Sequence, residues 1–277
     1  MNRPQDLWAL VTKVRTNSPL VHNITNYVVM NNTANALLAA GASPIMSHAE
    51  QEVQDMVNIS GALVVNIGTL SPHWVQAMDM AVKKAAETAT PWVLDPVGAG
   101  ATPYRNAVLA DLMEAAAPTV IRGNASEIRA LRIAGAKTKG VDSTHSSEEA
   151  TEAAKSLNAD YGSVVCISGA TDIVVSGDQM ATLSNGDSMM GRVTGMGCSA
   201  SALIGAFLAI EPDAFAATTA AMALMGVVGT LAAGQAQGPG SFQVALLDQL
   251  YQVTEEQFLN TLKVSYAKGE KAVFSHG

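Results

Sequence analysis

The sequence predicts an α/β fold: a mainly parallel central sheet covered by helices on both faces, with a helical C-terminal third. Three observations lead there. Short β-prone runs alternate with helical patterns over the first two-thirds of the 277 residues, and strand–helix alternation of this kind implies crossover helices between parallel strands. From about Cys198 onward the pattern is helical to near the end of the chain. Hydrophobic residues make up 48% of the chain and charged residues only 14%, which supplies a large core and excludes global disorder.

In chain order, Leu20, Val21 and His22 precede a helix over 31–40, and Pro44, Ile45 and Met46 precede a helix near 50–59. The run 62–66 leads into a long amphipathic helix over 72–88, and the run 92–95 into a helix near 105–116. Thr119, Val120 and Ile121 come before a helix near 125–134, and a helical stretch over 147–157 leads to a strand at 164–167. Residues 172–175 and 180–183 read as a short antiparallel addition. The stretch 214–234 is uncharged and long enough to raise the membrane question. It is mostly Ala, Gly and Thr and lacks flanking Lys or Arg, so a helix buried on every side of a core explains it better. A loop over 237–241 interrupts the helical region. No repeat, low-complexity linker or composition break divides the chain, and residues 1–277 read as one domain.

A formal net charge of -8 disfavours a nucleic-acid backbone as the main partner, and an aromatic content of 5% offers few stacking platforms for single strands. Cys166 and Cys198 are too few for a disulfide framework and fit a reducing compartment. Arg3, Pro4 and Asp6 stand where a secretory signal would need an apolar core. The expectation is a cytoplasmic protein.

The most informative motif is Gly195-Met196-Gly197-Cys198, entered through Val193-Thr194 and followed by the apolar run 199–210. It reads as a glycine-flanked turn opening into a helix with a thiol in its first turn. Free N–H groups at such a start attract phosphate, and the same field is expected to lower the thiol pKa. An anion cradle with a titratable group inside suggests phosphoryl transfer to an alcohol, with Cys198 receiving the hydroxyl proton. Two blander readings compete. Gly195, Gly197 and Ala200 fit a dinucleotide fingerprint, but the helix runs into Glu211-Pro212-Asp213 and a further helical stretch instead of a strand. A plain helix start with a buried cysteine is the other.

Polar signals gather at the ends of the expected strands, where ligands of such sheets bind. Asp95 opens the glycine-rich segment Asp95-Pro96-Val97-Gly98-Ala99-Gly100 and is placed either to bind Mg²⁺ or to cap a loop. Asn124 with Glu127 three residues on fits a capping box, and a capping Glu can still face a water-coordinated metal. Arg122 offers a fixed cation for phosphates. The P-loop and protein-kinase signatures are absent, Gly135-Ala136-Lys137-Thr138 lacking the required order. His22, His48, His73, His145 and His276 show no metal-ligand spacing.

Several of these segments are carried together in one order: Val21-His22-Asn23-Ile24-Thr25-Asn26, residues 41–46, Asn66-Ile67-Gly68-Thr69-Leu70, residues 94–100, Ile121-Arg122-Gly123-Asn124 with Glu127, residues 193–198 and residues 238–242. With them the chain resembles, over essentially its whole length, the hydroxyethylthiazole kinases of the ribokinase-like superfamily. The resemblance implies ATP- and Mg²⁺-dependent phosphorylation of the primary alcohol of 4-methyl-5-(2-hydroxyethyl)thiazole in thiamine salvage, by a homotrimer with active sites between subunits. Carried over by position, it implies that Met46 and Gly195 contact the thiazole with Asn26 on the same wall. Arg122, Ser168 and Gly197 would bind the nucleotide, Asp95 and Glu127 would organise the metal, and Cys198 would stand where the wider superfamily has an aspartate base. Met196 departs from the small or hydroxyl residue expected between the two glycines. A kinase for a hydroxymethylpyrimidine or pyridoxal, a nucleotide-dependent dehydratase and a catalytically silent sensor are the alternatives on the same scaffold.

Overall fold

The computed structural model describes residues 3–135 and 146–268; Ala136, Lys137, Thr138, His145 and His276, considered above, lie outside them. Among the described residues a nine-stranded sheet runs in the order β2-β1-β3-β4-β5-β6-β7-β8-β9. Strands β1 (Leu20–Ile24), β2 (Ser43–Ile45), β3 (Ala62–Asn66), β4 (Trp92–Asp95), β5 (Val120–Asn124) and β6 (Val164–Ser168) are parallel. Strands β7 (Asp172–Ser176), β8 (Gln179–Leu183) and β9 (Val264–Lys268) extend the sheet antiparallel. The α/β class and the antiparallel addition agree with the sequence reading.

Two differences have physical reasons. The region from Cys198 is helical to near its end as expected, but a ninth strand follows that the sequence reading did not name. Val264–Lys268 pairs along β8 and covers an edge whose N–H and C=O groups would otherwise be unpaired. The expected loop over 237–241 is instead mostly the start of a helix, α10 (Pro239–Gln252). Pro239 sits at its first position, where a missing N–H costs nothing. Ser241 Oγ accepts the N–H groups of Gln237 and Gly238, at 2.9 and 3.2 Å.

Alternation along the strands sorts the helices into two layers. Val21, Val64, Val93, Val120 and Cys166 face a core shared with α1 (Pro4–Asn17), α2 (Met30–Ala40), α8 (Met196–Leu208), α9 (Ala214–Ala233), α10 and α11 (Glu255–Thr261). Ile24, Leu63, Val65, Leu94 and Ile121 face a second core. That core is closed by α3 (Val53–Ile59), α4 (Pro72–Thr88), α5 (Pro103–Ala115), α6 (Ala125–Gly135) and α7 (Ser146–Tyr161). By length and composition α9 is the one helix among the described residues that could cross a membrane, and 83% of its most apolar window is buried. It packs on α8, α10 and α1, and Thr219 returns its hydroxyl to Phe215 O at 2.7 Å.

The strand order reverses direction between β1 and β3. The chain leaves β1 through α2 on one face and leaves β3 through α4 on the other, which opens a crevice beyond the carboxyl ends of these strands. Asn26 follows the end of β1, and Asn66 is the last residue of β3.

Candidate active site

Register brings the polar strand ends together. Asn66 pairs laterally with Asp95 across β3 and β4, and Leu94 with Ile121 across β4 and β5. Alternation therefore turns Asn66, Asp95 and Arg122 to the same face, the one on which α8 begins. Asp95 is 1% exposed. Its Oδ2 accepts from Asn66 Nδ2 at 2.7 Å and from Ser201 Oγ, one turn into α8, at 2.9 Å. Asn66 Nδ2 also donates to Cys198 Sγ at 3.2 Å, and Asn26 Nδ2 reaches the same sulfur at 3.5 Å.

The start of α8 is open. Its N-cap, Gly195, has a φ of +85° and no capping side chain, and a Cβ there would lie 2.8 Å from Val29 Cγ1. The first turn bond is Ser199 N–H to Gly195 O, so the N–H groups of Met196, Gly197 and Cys198 have no helical partner. Asn32 Nδ2 holds the turn through Thr194 O at 3.3 Å and is itself held by Gln243. The Arg122 guanidinium lies against Gly197, where a Cβ would come within 2.5 Å of its Nη1. Nη2 donates to Ser168 Oγ at 2.7 Å, and Nε is buried without a partner. A guanidinium beside free helix N–H groups is a binding place for phosphate.

Arg122, Ser168 and Gly197 border a cleft of 580 Å³ whose far wall carries Met190, Met222 and Met225. Met196, the residue that departs from the expected pattern, also lines this cleft. A larger cavity, of 750 Å³, lies at the opposite end of the sheet against Trp92, Thr119 and Glu211. It contains none of the groups above; chemistry, not size, locates the site.

Glu127 makes the expected capping box: Asn124 Oδ1 accepts its N–H at 2.9 Å, and its Oε2 accepts the Asn124 N–H at 2.8 Å. Its Oε1 also accepts the Gly98 N–H at 3.0 Å, tying the Asp95–Gly100 loop to α6. Met46 sits at the carboxyl end of β2, half-buried, outside the hydrogen-bonded cluster. Gly195 lies against Val29 and not in the cleft.

The electrostatics correct one expectation. Burial pushes the Cys198 thiol up to about 11, and the charge of Asp95 pushes in the same direction. Hydrogen bonds from Asn66 and Asn26 and the charge of Arg122 oppose this without winning. The net shift is upward because the thiol is buried beside a carboxylate. Asp95 itself is raised to about 6, first by burial and then by Glu127, against Arg122, Ser201 and Asn66. Cys166, fully buried under the sheet, is pushed far up by burial.

Among the described residues no group of three or more His, Cys, Asp or Glu side chains is arranged to hold a metal ion. Asp95 and Glu127 are a pair, and both side-chain hydrogen bonds to Asp95 fall on Oδ2 and leave Oδ1 out. A pair of carboxylates near the helix start is the kind of donor set that Mg²⁺ takes together with substrate phosphates. Sequence reasoning missed Asn66 and Ser201 as site residues. It quoted Asn66 within a motif without a role, and only register places it beside Asp95.

A reversing parallel sheet with a phosphate cradle at its switch point defines a small-molecule phosphotransferase of ribokinase-like architecture. A ribokinase-like superfamily protein from Enterococcus faecalis shares the fold at a TM-score of 0.62 and 13% identity, covering 85% of this chain and 88% of that one. The chain belongs to the hydroxyethylthiazole kinase family, whose profile matches residues 11–256. It is 58% identical over 243 residues to a hydroxyethylthiazole kinase from Leptospira biflexa, covering 88% of this chain and 91% of that one. The structure of a hydroxyethylthiazole kinase from Pyrococcus horikoshii is similar at a TM-score of 0.88 and 40% identity, covering 95% of this chain and 100% of that one.

Proposed function

We propose that this enzyme transfers the terminal phosphoryl group of ATP to the primary alcohol of 4-methyl-5-(2-hydroxyethyl)thiazole, at the crevice between β1, β3 and the start of α8. The observation that carries this reading is the contact of Arg122 with Gly197 at an uncapped helix start, one residue from Cys198 and hydrogen-bonded across to Asp95 through Asn66.

The nucleotide lies in the methionine-lined cleft, its phosphates on Arg122, Ser168 and the Gly197 N–H. The thiazole lies towards Asn26, Gly195 and Met46, with its hydroxyl at Cys198. Asp95 and Glu127 would hold Mg²⁺, which would supply positive charge against the phosphates. Phosphoryl transfer depends mainly on positioning and charge neutralisation. A thiol raised to about 11 is almost wholly protonated at neutral pH. Cys198 therefore accepts the alcohol proton from its minor thiolate form, Sγ becoming the neutral thiol as the new bond forms, while Asn66 and Asn26 hold the sulfur in place.

The test is a product assay with ATP, Mg²⁺ and the thiazole alcohol, read by mass: phosphorylated thiazole and ADP are expected. ATP hydrolysis without a phosphorylated alcohol indicates a dehydratase. Faster transfer to a hydroxymethylpyrimidine or pyridoxal indicates a related kinase. In Cys198→Ala, nucleotide affinity is retained and turnover falls about 100-fold; undiminished turnover removes the proton-accepting role.

A homotrimer with sites between subunits belongs to the same reading. It is supported by Tyr27 and Val28, apolar, 60% and 64% exposed, and adjacent to Asn26 at the mouth of the crevice. Two unpaired cysteines support a cytoplasmic location.

A further inference from the structure

We infer that Asn66 is the positioning residue of this site: its amide locks Asp95, Asn26 and Cys198 into a single arrangement, an inference that rests on the kinase reading above. The side chain is 1% exposed. As donor, Nδ2 serves Asp95 Oδ2 at 2.7 Å and Cys198 Sγ at 3.2 Å. As acceptor, Oδ1 takes Asn26 Nδ2 and the Gly68 N–H, both at 2.9 Å. Two donors and two acceptor positions are the whole capacity of an amide, and all four are used.

That saturation fixes the orientation. Turning the amide over would set its oxygen against the Asp95 carboxylate and its NH₂ group against the Gly68 N–H and the Asn26 NH₂. Asn26 cannot turn to compensate, because its own Oδ1 accepts the Val28 N–H at 3.1 Å. Gly68 makes the approach possible: a Cβ there would fall 2.6 Å from Asn26 Nδ2. The backbone on either side is held as well. Arg105 Nη1 donates to Ile67 O at 2.6 Å and Val97 O at 2.8 Å, and Nη2 donates to Gly68 O at 2.8 Å. One guanidinium thus staples the residues after Asn66 to the loop after Asp95.

Asn66 therefore acts through its neighbours. It aims Sγ at the position of the substrate hydroxyl, donates an N–H that favours the thiolate before the proton moves, and holds Asp95 Oδ2 in one orientation. An apolar residue of similar size could fill the space but do none of this.

A double-mutant cycle separates positioning from bulk stability, since contributions that act through Cys198 fail to add whereas structural ones add. Asn66→Ala is expected to lower kcat about 100-fold with nucleotide KM changed less than about threefold, a geometric loss rather than a binding loss. In a Cys198→Ala background the same substitution is expected to cost less than about tenfold. Equal cost in both backgrounds, or kcat within about twofold of the parent, overturns the proposal. Should Asn66→Ala fail to fold, Asn66→Asp keeps the outline and both acceptor contacts and carries the same cycle. Unfolding of both, with Cys198→Ala folded, assigns Asn66 a purely structural role and also overturns it. Iodoacetamide labelling of Cys198, read by peptide mass with buried Cys166 as control, needs no turnover. Slower labelling in Asn66→Asp is expected, and an unchanged rate counts against the contact. A parent enzyme that makes no phosphorylated thiazole, yet shows this labelling difference, defeats the kinase reading and not the contact.

Discussion

On β3 and β4 the side chains turned towards α3–α7 are Leu63, Val65, Trp92 and Leu94, all buried hydrocarbon or indole. Their neighbours turned towards α8 begin alike, with Val64 and Val93, and then become Asn66 and Asp95. The strands are the same and the burial is equal; only the last residue of the alternation differs. The face towards α3–α7 is continuous packing, while the face towards α8 gives up packing at its carboxyl end and fills the space with a hydrogen-bonded amide and carboxylate. A buried polar group is tolerated only when paired, and here Ser201, Asn66 and Asn26 supply the pairing. One face of the sheet thus holds the molecule together and the other, over a single residue per strand, carries the chemistry.

Asp95→Asn gives the largest expected break in that symmetry. Turnover should fall by about 10²–10³-fold, with a raised Mg²⁺ requirement, because the charge proposed to hold the metal is gone. Stability should move the other way. The Asp95 carboxyl is raised from 3.8 to about 6 by folding, so the folded chain binds more protons than the unfolded one between these values. Stability therefore falls as pH rises through that window. About two units correspond to roughly 3 kcal/mol, an upper figure. Thermal midpoints measured from pH 4 to 7 should decline in the parent and stay flatter in Asp95→Asn. Parallel curves would sink the assignment of a raised carboxyl.

Leu94→Ala, one residue away on the opposite face, should do the converse. Leu94 is fully buried in the second core, and removing such a side chain costs about 2–5 kcal/mol. Turnover per folded molecule should stay within about twofold. A loss of turnover approaching that of Asp95→Asn, with the protein still folded, would show that the two faces are not separable.

The same contrast explains what was legible in the sequence. Hydrocarbon alternation and helix punctuation are local, so helix 72–88 and strands 62–66 and 92–95 fall where the periodicity places them. The cradle at Gly195–Cys198 is local too, since a glycine in the left-handed region followed by an apolar helix writes its own conformation. β9 is different: five alternating residues near the end of the chain become a strand only because β8 offers an open edge. The role of Asn66 depends on register with β4, which no single segment encodes. The direction of the Cys198 shift depended on which neighbours lay closest, and burial with Asp95 outweighed the hydrogen bonds from Asn66 and Asn26 and the charge of Arg122.

Ser201→Ala is the finest test of the polar face, because it removes one of two donors to Asp95 Oδ2 and leaves Asn66 in place. A hydroxyl lost from a core position leaves Asp95 Oδ1 and the bond from Asn66 to Oδ2 untouched, so turnover at its optimum should fall less than about tenfold. The informative readout is the pH profile. Ser201 stabilises the charged form of Asp95, and a hydrogen bond to a charged group contributes about 1.5–3 kcal/mol. If Asp95 acts ionised, as proposed, the acid limb of kcat/KM is expected near its raised value of about 6, and the loss of Ser201 should move that limb about one unit towards alkaline pH. The shift can then only narrow the active range from the acid side. A limb that moves to lower pH, or stays in place while Asp95→Asn abolishes it, would mean that Asn66 alone sets the charge on this carboxylate.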